Sequence, residues 1–470
     1  MSSQLVQRSA SARPQRVESL LQPAPSTLSA LDIWAFVLPT VSFVQVIVIG
    51  QLIVSELLMV VMLPWLWSAQ DRPRISRWFV VIWAGWLLSQ VMTDLIRGSA
   101  FVDFARGWSA IVFTFTDFAA ILVLAGTPRR ARLFALGLAT SGLLSYFVAR
   151  SGFAVSDPWK FALAVPIGFG LAACLSGGMG ARLRSFAVGV FVVFGVLNFL
   201  FGFRSLGGVS LLTAGYLTLS AIASRPKIAR PHSLLRVAAA LVFLGFAVGG
   251  ILQIYDTAAS QGLLGSSAQI KYLDESGALG VLVGGRSEIL VSAQAIIDSP
   301  ILGHGSWAKD FRYAELLTAQ LSSLGYEIGA GPSDVGLIPT HSYLTQAWVW
   351  AGILGGAFWL VILVIAVWLL GTLYSFRVTL LPLLVFSTIL LLWNIAFSPY
   401  GDVARIVACY GIALCLLGLR QARPAETDHP PRHPAIWASR PSRRASWGWR
   451  GGDAARTDGH PAPDRAGSKL

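Results

Sequence analysis

Long apolar runs, each of about 17–25 residues, recur along this chain, and each is long enough to cross the ~30 Å hydrocarbon core of a bilayer. Backbone in lipid must satisfy its own hydrogen bonds, so such a chain can fold only as a helical bundle or a closed barrel. A barrel would read as segments of about ten residues alternating in polarity, a pattern this sequence lacks. The fold class is therefore an all-α polytopic membrane protein. Composition agrees, with 55% hydrophobic and 13% charged residues against roughly 25% charged in a soluble domain.

The spans fall at about 32–48, 51–68, 77–95, 107–125, 131–148, 158–177, 183–202, 207–223, 235–253, 342–370, 378–397 and 403–419, about twelve transmembrane helices in all. Only Gly50 and Gln51 separate the first two. The chain divides into a tail (1–30), helices 1–9 (31–253), one large loop (254–341), helices 10–12 (342–420) and a second tail (421–470). The first tail, polar and rich in Arg, Ser and Pro, reads as cytoplasmic, ahead of a signal-anchor helix. The second, rich in Arg and Pro and poor in aliphatics, cannot bury a core and reads as disordered and basic. Its Trp437, Trp447 and Trp449 stand among arginines and could dock on anionic headgroups or simply be solvated.

Arginine placement orients the bundle. With the N-terminus inside, the cytoplasmic side receives Arg8, Arg13 and Arg16, then Arg72, Arg74 and Arg77, Arg129, Arg130 and Arg132, Arg182 and Arg184, and Arg225, Arg230 and Arg236. The other side receives only scattered cations, among them Arg97, Arg106, Arg150, Lys160, Arg204 and Arg405. This positive-inside bias turns the large loop outward. The loop is expected to face the periplasm or the cell exterior. The net charge of +13 mostly reflects the bias, and no basic groove with interleaved aromatics points to nucleic acid.

Several chemistries lack their signatures. There is no phosphate-binding Gly-x-x-x-x-Gly-Lys-Ser/Thr loop, no Asp-x-Asp pair for a metal-held nucleotide sugar, and no His/Cys cluster for zinc. Cys174, Cys409 and Cys415 all fall in apolar spans and read as small buried residues. Neither a cofactor nor a metal is expected.

The candidate residues gather on the outer side. Arg286 follows Gly284 and Gly285. Its planar guanidinium could grip phosphate oxygens or pair with Glu288 or Asp298. Arg204 is the lone charge in a long apolar stretch and could bind an anion or anchor to headgroups. His341 stands where the chain returns to the membrane. An imidazole there could take a proton from a sugar hydroxyl, bind phosphate or serve structure. His304, between Gly303 and Gly305, is a secondary candidate, although the glycines alone could explain that turn.

Glu56 and Asp117 lie within spans, where carboxylates are costly and face a cavity or a partner. Asp94, Asp103 and Asp402 could pair with Arg97, Arg106 and Arg405, or orient an acceptor sugar. In the loop, Ile289, Leu290, Ala293, Ile296 and Ile297 share one helical face, and Tyr313, Leu316, Leu317, Leu321 and Leu324 form a second stripe. Two helices lying on the membrane boundary as a roof are expected. Gly325 to Pro339 reads as a lid.

Four elements in order carry a resemblance: Gly285-Arg286-Ser287-Glu288, Pro300-Ile301-Leu302-Gly303-His304-Gly305, His341-Ser342-Tyr343-Leu344 and Gly352-Ile353-Leu354-Gly355. Over about 280–360 the chain resembles the O-antigen ligase/polymerase superfamily of bacterial membrane glycosyltransferases. Arg204 with Gly207 resembles that family's earlier Arg-Gly element. Ser342 stands where typical members carry Asn.

The resemblance implies a GT-C-like fold and a metal-independent transfer of a glycan from undecaprenyl diphosphate. The receiving group would be a sugar hydroxyl of another glycan or of a lipid A-core acceptor. It assigns Arg204 and Arg286 to the leaving diphosphate and His341 to acceptor activation or diphosphate binding. His304, Asp402 and Arg405 are left as secondary acceptor-side candidates. Polymerase and ligase share the donor; polymerase is preferred because such systems are numerous. The competing class is a lipid-linked oligosaccharide transporter or flippase, with Glu56 and Asp117 as ion-coupling groups, although no internal repeat is visible. A non-catalytic assembly subunit is a third possibility.

Overall fold

The computed structural model describes residues 28–47, 51–68, 75–148, 152–177, 181–223, 246, 249–250, 253–263, 265–275, 287–323, 336–373, 378, 380–401 and 403–422. The chain is mostly helical. Its elements begin with α1 (Ala30–Thr40), α2 (Val54–Trp67), α3 (Arg77–Arg97), α4 (Phe101–Leu124), α5 (Pro128–Val148), α6 (Ala164–Cys174), α7 (Ala181–Leu200) and α8 (Arg204–Ala223). They continue with α9 (Ser266–Glu275), α10 (Glu288–Asp298), α11 (Phe311–Ser323), α12 (Tyr343–Leu373), α13 (Leu381–Phe397) and α14 (Val403–Gln421).

Among the described residues six helices are long and apolar enough to cross a membrane: α3, α4, α5, the Leu183–Leu200 part of α7, α12 and α14. Four shorter apolar helices, Ala30–Phe43, Val54–Trp67, Trp159–Cys174 and Leu381–Phe397, join them. The protein is a multi-pass α-helical membrane protein. Most of the expected span at 235–253 lies outside the described residues, as does the tail from 423.

The first two expected spans take another form. Instead of helices over 32–48 and 51–68, the chain makes the 11-residue α1, with Pro39 inside it, and then an antiparallel pair of strands, Gln45–Ile47 on Gln51–Ile53. The 14-residue α2 follows. At 1.5 Å per residue α1 rises only ~17 Å, short of the bilayer core. The β-branched residues Val46, Ile47 and Ile53 favour strand there.

The core is aromatic and close-packed. Trp359, Tyr343, Tyr410, Phe118, Phe134, Phe169, Phe191, Phe358 and Phe386 are fully buried. Helix α13 runs through the middle, buried almost continuously from Leu381 to Leu391. Its short length is tolerable because protein surrounds it. Small residues let backbones approach: a Cβ on Gly137 of α5 would lie 2.4 Å from the Phe36 carbonyl oxygen of α1.

A second, smaller core holds the loop together. Val291 and Ala295 of α10, Tyr313 of α11, Ile338 and Val349 of α12 pack as one buried cluster. The strap at 336–338 closes it, with Asp310 N–H donating to Gly336 O (2.7 Å) and Ile338 N–H to Ala308 O (2.9 Å). Both loop helices expected from periodicity are present, and α10 packs inward with its small residues. Its buried face is Val291, Ser292 and Ala295, while Ile289 and Ile297 point outward, 38% and 69% exposed. Small residues face the protein because the loop sits close on α12, and the apolar stripe is left for the surroundings.

Candidate functional site

The loop is fastened to the bundle at a break in a helix. Gly352 leaves the helical conformation within α12, with φ 66° and ψ −157°, a region open essentially to glycine. The break frees carbonyls that a continuous helix would use internally, and the Pro300–Gly305 turn takes them up. His304 N–H donates to Val349 O (2.7 Å) and Gly305 N–H to Trp350 O (3.1 Å). In return Ile353 N–H donates to Ile301 O (3.2 Å), and Ser89 Oγ donates to Ala351 O (2.6 Å). Gly303 and Gly305 adopt φ 81° and 95°. The glycines of the sequence motif thus make one docking joint between loop and helix.

Helix α3 clamps the same turn. Asp94 accepts from Ser306 N–H (2.6 Å) and Ser306 Oγ (2.7 Å), from Ser99 Oγ (2.7 Å), from Trp108 Nε1 (2.8 Å) and from Gln90 Nε2 (3.2 Å). Arg97 donates to Gly303 O (2.9 Å) and Ser299 Oγ (2.8 Å). Both groups are thus spent on the loop rather than on each other. Asp103 likewise pairs with Lys309 (2.9 Å), and Arg106 lies over the Trp307 ring at 5.5 Å. Trp307 is the one non-glycine with positive φ (52°) among the described residues.

His341 comes to the first turn of α10. Its Nδ1 lies 3.6 Å from Glu288 Oε1, with both side chains about one-third exposed (34% and 31%). That is ion-pair range rather than a hydrogen bond. Ser342, three residues before Thr345, donates or accepts at its hydroxyl (2.8 Å) and accepts from Thr345 N–H (2.8 Å). It therefore caps the start of α12, a role Asn would also fill. One turn on, Gln346 grips the backbone of Tyr400, donating to its carbonyl (2.9 Å) and accepting from its N–H (2.9 Å). The segment between α13 and α14 is thereby held against the base of the His341 helix.

Arg204 opens α8. Its Nη1 donates to Tyr255 Oη at 3.3 Å, and its guanidinium stands 5.3 Å from the Tyr255 ring centre. It lines a cavity of about 760 Å³ together with Asp157, Trp159, Phe201, Tyr255 and Ser266. Nearby, burial pushes the Asp256 carboxyl up, partly offset by the Arg204 charge.

The other candidates lie elsewhere. His304 Nε2 is 2.7 Å from Ala295 O and its ring meets Tyr313 edge-on at 5.5 Å, inside the docking joint. Arg405 is buried (6% exposed) and bidentate to Glu56, Nε to Oε1 at 2.7 Å and Nη2 to Oε2 at 2.9 Å. Asp117, fully buried, lies against Glu56. Two carboxylates and one guanidinium thus share the interior of the bundle, with Thr114, Tyr400 and Cys409 around them. Sequence reasoning noticed each of these residues but not the Glu56–Arg405 pair, since α2 and α14 meet only in the fold.

Arg286 and Asp402 lie outside the described residues, as do Arg150 and most of the expected lid. Among the described residues no group of His, Cys, Asp and Glu could hold a metal ion. Compared with protein-family models, with curated proteins and with solved structures, the chain finds no significant match.

Proposed function

We propose that the protein transfers a glycan from undecaprenyl diphosphate to a sugar hydroxyl at the periplasmic face of a bacterial inner membrane. It would act as a polymerase or ligase of a surface polysaccharide, with polymerase preferred. The observation that carries this reading is the pairing of His341 with Glu288, two residues after Arg286 in sequence, on a loop that the motif glycines lock to the bundle. An imidazole beside a carboxylate is placed to act as a general base.

The chemistry follows. The acceptor O–H attacks the anomeric carbon while His341 takes its proton. The bond from that carbon to the phosphate oxygen breaks, and the lipid diphosphate leaves with the electron pair. Charge grows on the diphosphate, where Arg204 and Arg286 would stabilise it. The bundle, with about twelve spans, presents the lipid-linked donor from the membrane side.

Complementation in cells tests the reading. A deletion strain carrying His341→Ala or Arg286→Ala should lose glycan polymerisation or attachment while inserting the protein normally. Normal glycan length and attachment in the double variant would instead identify a non-catalytic assembly subunit. The interior cluster of Glu56, Asp117 and Arg405 is the observation favouring a transporter. Its tight bidentate pairing suits a structural lock, because a coupling site has to release its ion.

A further inference from the structure

The cavity beside Arg204 has a lining that an anion alone does not require. Its volume of about 760 Å³ falls within the range of small-ligand sites, roughly 300–1,000 Å³. Its lining includes Arg204 with Tyr255. It also includes Asp157, a carboxylate that would repel a phosphate. Its Oδ1 accepts from Lys160 N–H at 3.0 Å, which fixes the carboxylate at the head of the π-helical turn Trp159–Leu163.

Trp159 is equally fixed. Its Nε1 donates to Asn198 Oδ1 at 3.0 Å, and its ring packs on Phe201 at 4.9 Å. It is only half-buried, with its edge fixed by Asn198 and its ring set against Phe201 and, at 6.3 Å, Phe194. The hydroxyls of Ser156 and Ser266 complete the polar lining. A lipid tail would gain nothing from Asp157 or the serines, and free phosphate nothing from Trp159. A ligand with an anion at one end and a hydroxyl-rich ring at the other satisfies every group. Carboxylate and hydroxyls accept from and donate to sugar hydroxyls, the indole covers the ring's C–H face, and the guanidinium meets the phosphate.

We infer that this cavity holds the sugar ring attached to the lipid diphosphate, with Trp159 and Asp157 as specificity-determining residues and Arg204 on the diphosphate. The inference rests on the glycosyl-transfer reading but goes beyond it, since it assigns sugar selection to the turn before α6.

The test is lipid binding to the full-length protein in nanodiscs, read by native mass spectrometry. The two probes are undecaprenyl diphosphate alone and the undecaprenyl-diphosphate-linked glycan extracted from the producing strain. Asp157→Asn should weaken the glycan-bearing lipid about tenfold, the loss expected for one hydrogen bond to a charged group, and Trp159→Ala by a similar factor through loss of the covering ring. Neither should weaken undecaprenyl diphosphate, and loss of the Asp157 charge should if anything tighten it. Trp159→Phe should retain most of the affinity, and Arg204→Ala should weaken both lipids. Asp157→Asn preserves the cap on Lys160, so it also controls for misfolding. Equal losses on both lipids, or none on the glycan-bearing one, overturn the sugar subsite and leave the transfer reading standing. Failure of the wild-type protein to bind either lipid overturns the two together.

Discussion

A Cβ on Gly303 would lie 2.6 Å from the backbone nitrogen of Gly352, and a Cβ on Gly352 would lie 1.9 Å from the Ile301 carbonyl oxygen. Loop and helix therefore meet backbone to backbone, and both glycines also hold positive φ. The contact explains why the turn and the helix carry glycine at matching places: side chains would hold the chains apart and leave the freed carbonyls of α12 without donors.

Gly303→Ala and Gly352→Ala should each destabilise the loop by roughly 2 kcal/mol or more, from backbone strain together with overpacking. Limited proteolysis should show faster cleavage between α10 and α12, with the bundle intact. Gly98 provides the comparison: it also has positive φ, but nothing lies within 4 Å of a Cβ there. Gly98→Ala should cost only the conformational part, about 1 kcal/mol. Equal effects at all three positions would contradict the docking joint.

Asp94→Ala should loosen the same loop by roughly 2–4 kcal/mol, since it strands the Ser306 backbone N–H and the Trp108 indole without an acceptor. Asp94→Asn, which keeps one carbonyl oxygen, should cost less. Thermal unfolding in detergent, followed with protease sensitivity, distinguishes the two variants. Wild-type behaviour in Asp94→Ala would remove Asp94 from the clamp.

Removing one member of the interior ion pair should be worse than removing both. Arg405→Leu leaves Glu56 and Asp117 together in the bundle without their cation, at a cost of about 3–5 kcal/mol. Adding Glu56→Leu to it should recover much of that loss, because apolar pairs often replace buried ion pairs with little penalty. A double variant less stable than the single one would show that the pair contributes more than mutual neutralisation.

The loop should also respond to pH. Hydrogen bonds from Tyr313 and then Gln294 hold the Asp298 carboxyl below its usual range, with Tyr313 Oη 2.7 Å away. A depressed carboxyl contributes stability above its unfolded pKa of about 3.9. That stability fades as pH falls through the lower folded value. The Tyr313 hydroxyl, pushed up to about 12 chiefly by burial, contributes stability below about pH 10 that is lost as pH rises toward 12. Hydrogen exchange in α10 and α11 should accelerate at both extremes. Asp298→Asn should remove the acid limb, and an unchanged acid limb in that variant would assign it elsewhere.

Much of the helical architecture was legible because apolar length reports directly on burial. The boundaries of α3, α5 and α14 lie close to the expected ones for that reason. The strand pair at Gln45–Ile53 was not legible, since an apolar run has no period that separates a short strand from a helix. Periodicity found α10 and its apolar stripe. The fold packs Val291, Ser292 and Ala295 inward, because the loop's close seat on α12 favours smaller side chains. The motif residues were recognisable as a set. Their division into a docking joint (Gly303, His304, Gly305, Gly352) and a His341–Glu288 pair needed coordinates, because Glu288 and His341 are far apart along the chain and meet only through that joint.

Acceptor-dependent release of undecaprenyl diphosphate tests the central claim most directly. The purified protein is incubated with the lipid-linked glycan and an acceptor glycan, and the liberated lipid diphosphate is measured. The account predicts release only when acceptor is present, nearly abolished in His341→Ala and strongly reduced in Arg286→Lys, where a point charge replaces a bidentate fork. No release with any acceptor, alongside movement of lipid-linked glycan across vesicles bearing the protein, would contradict it.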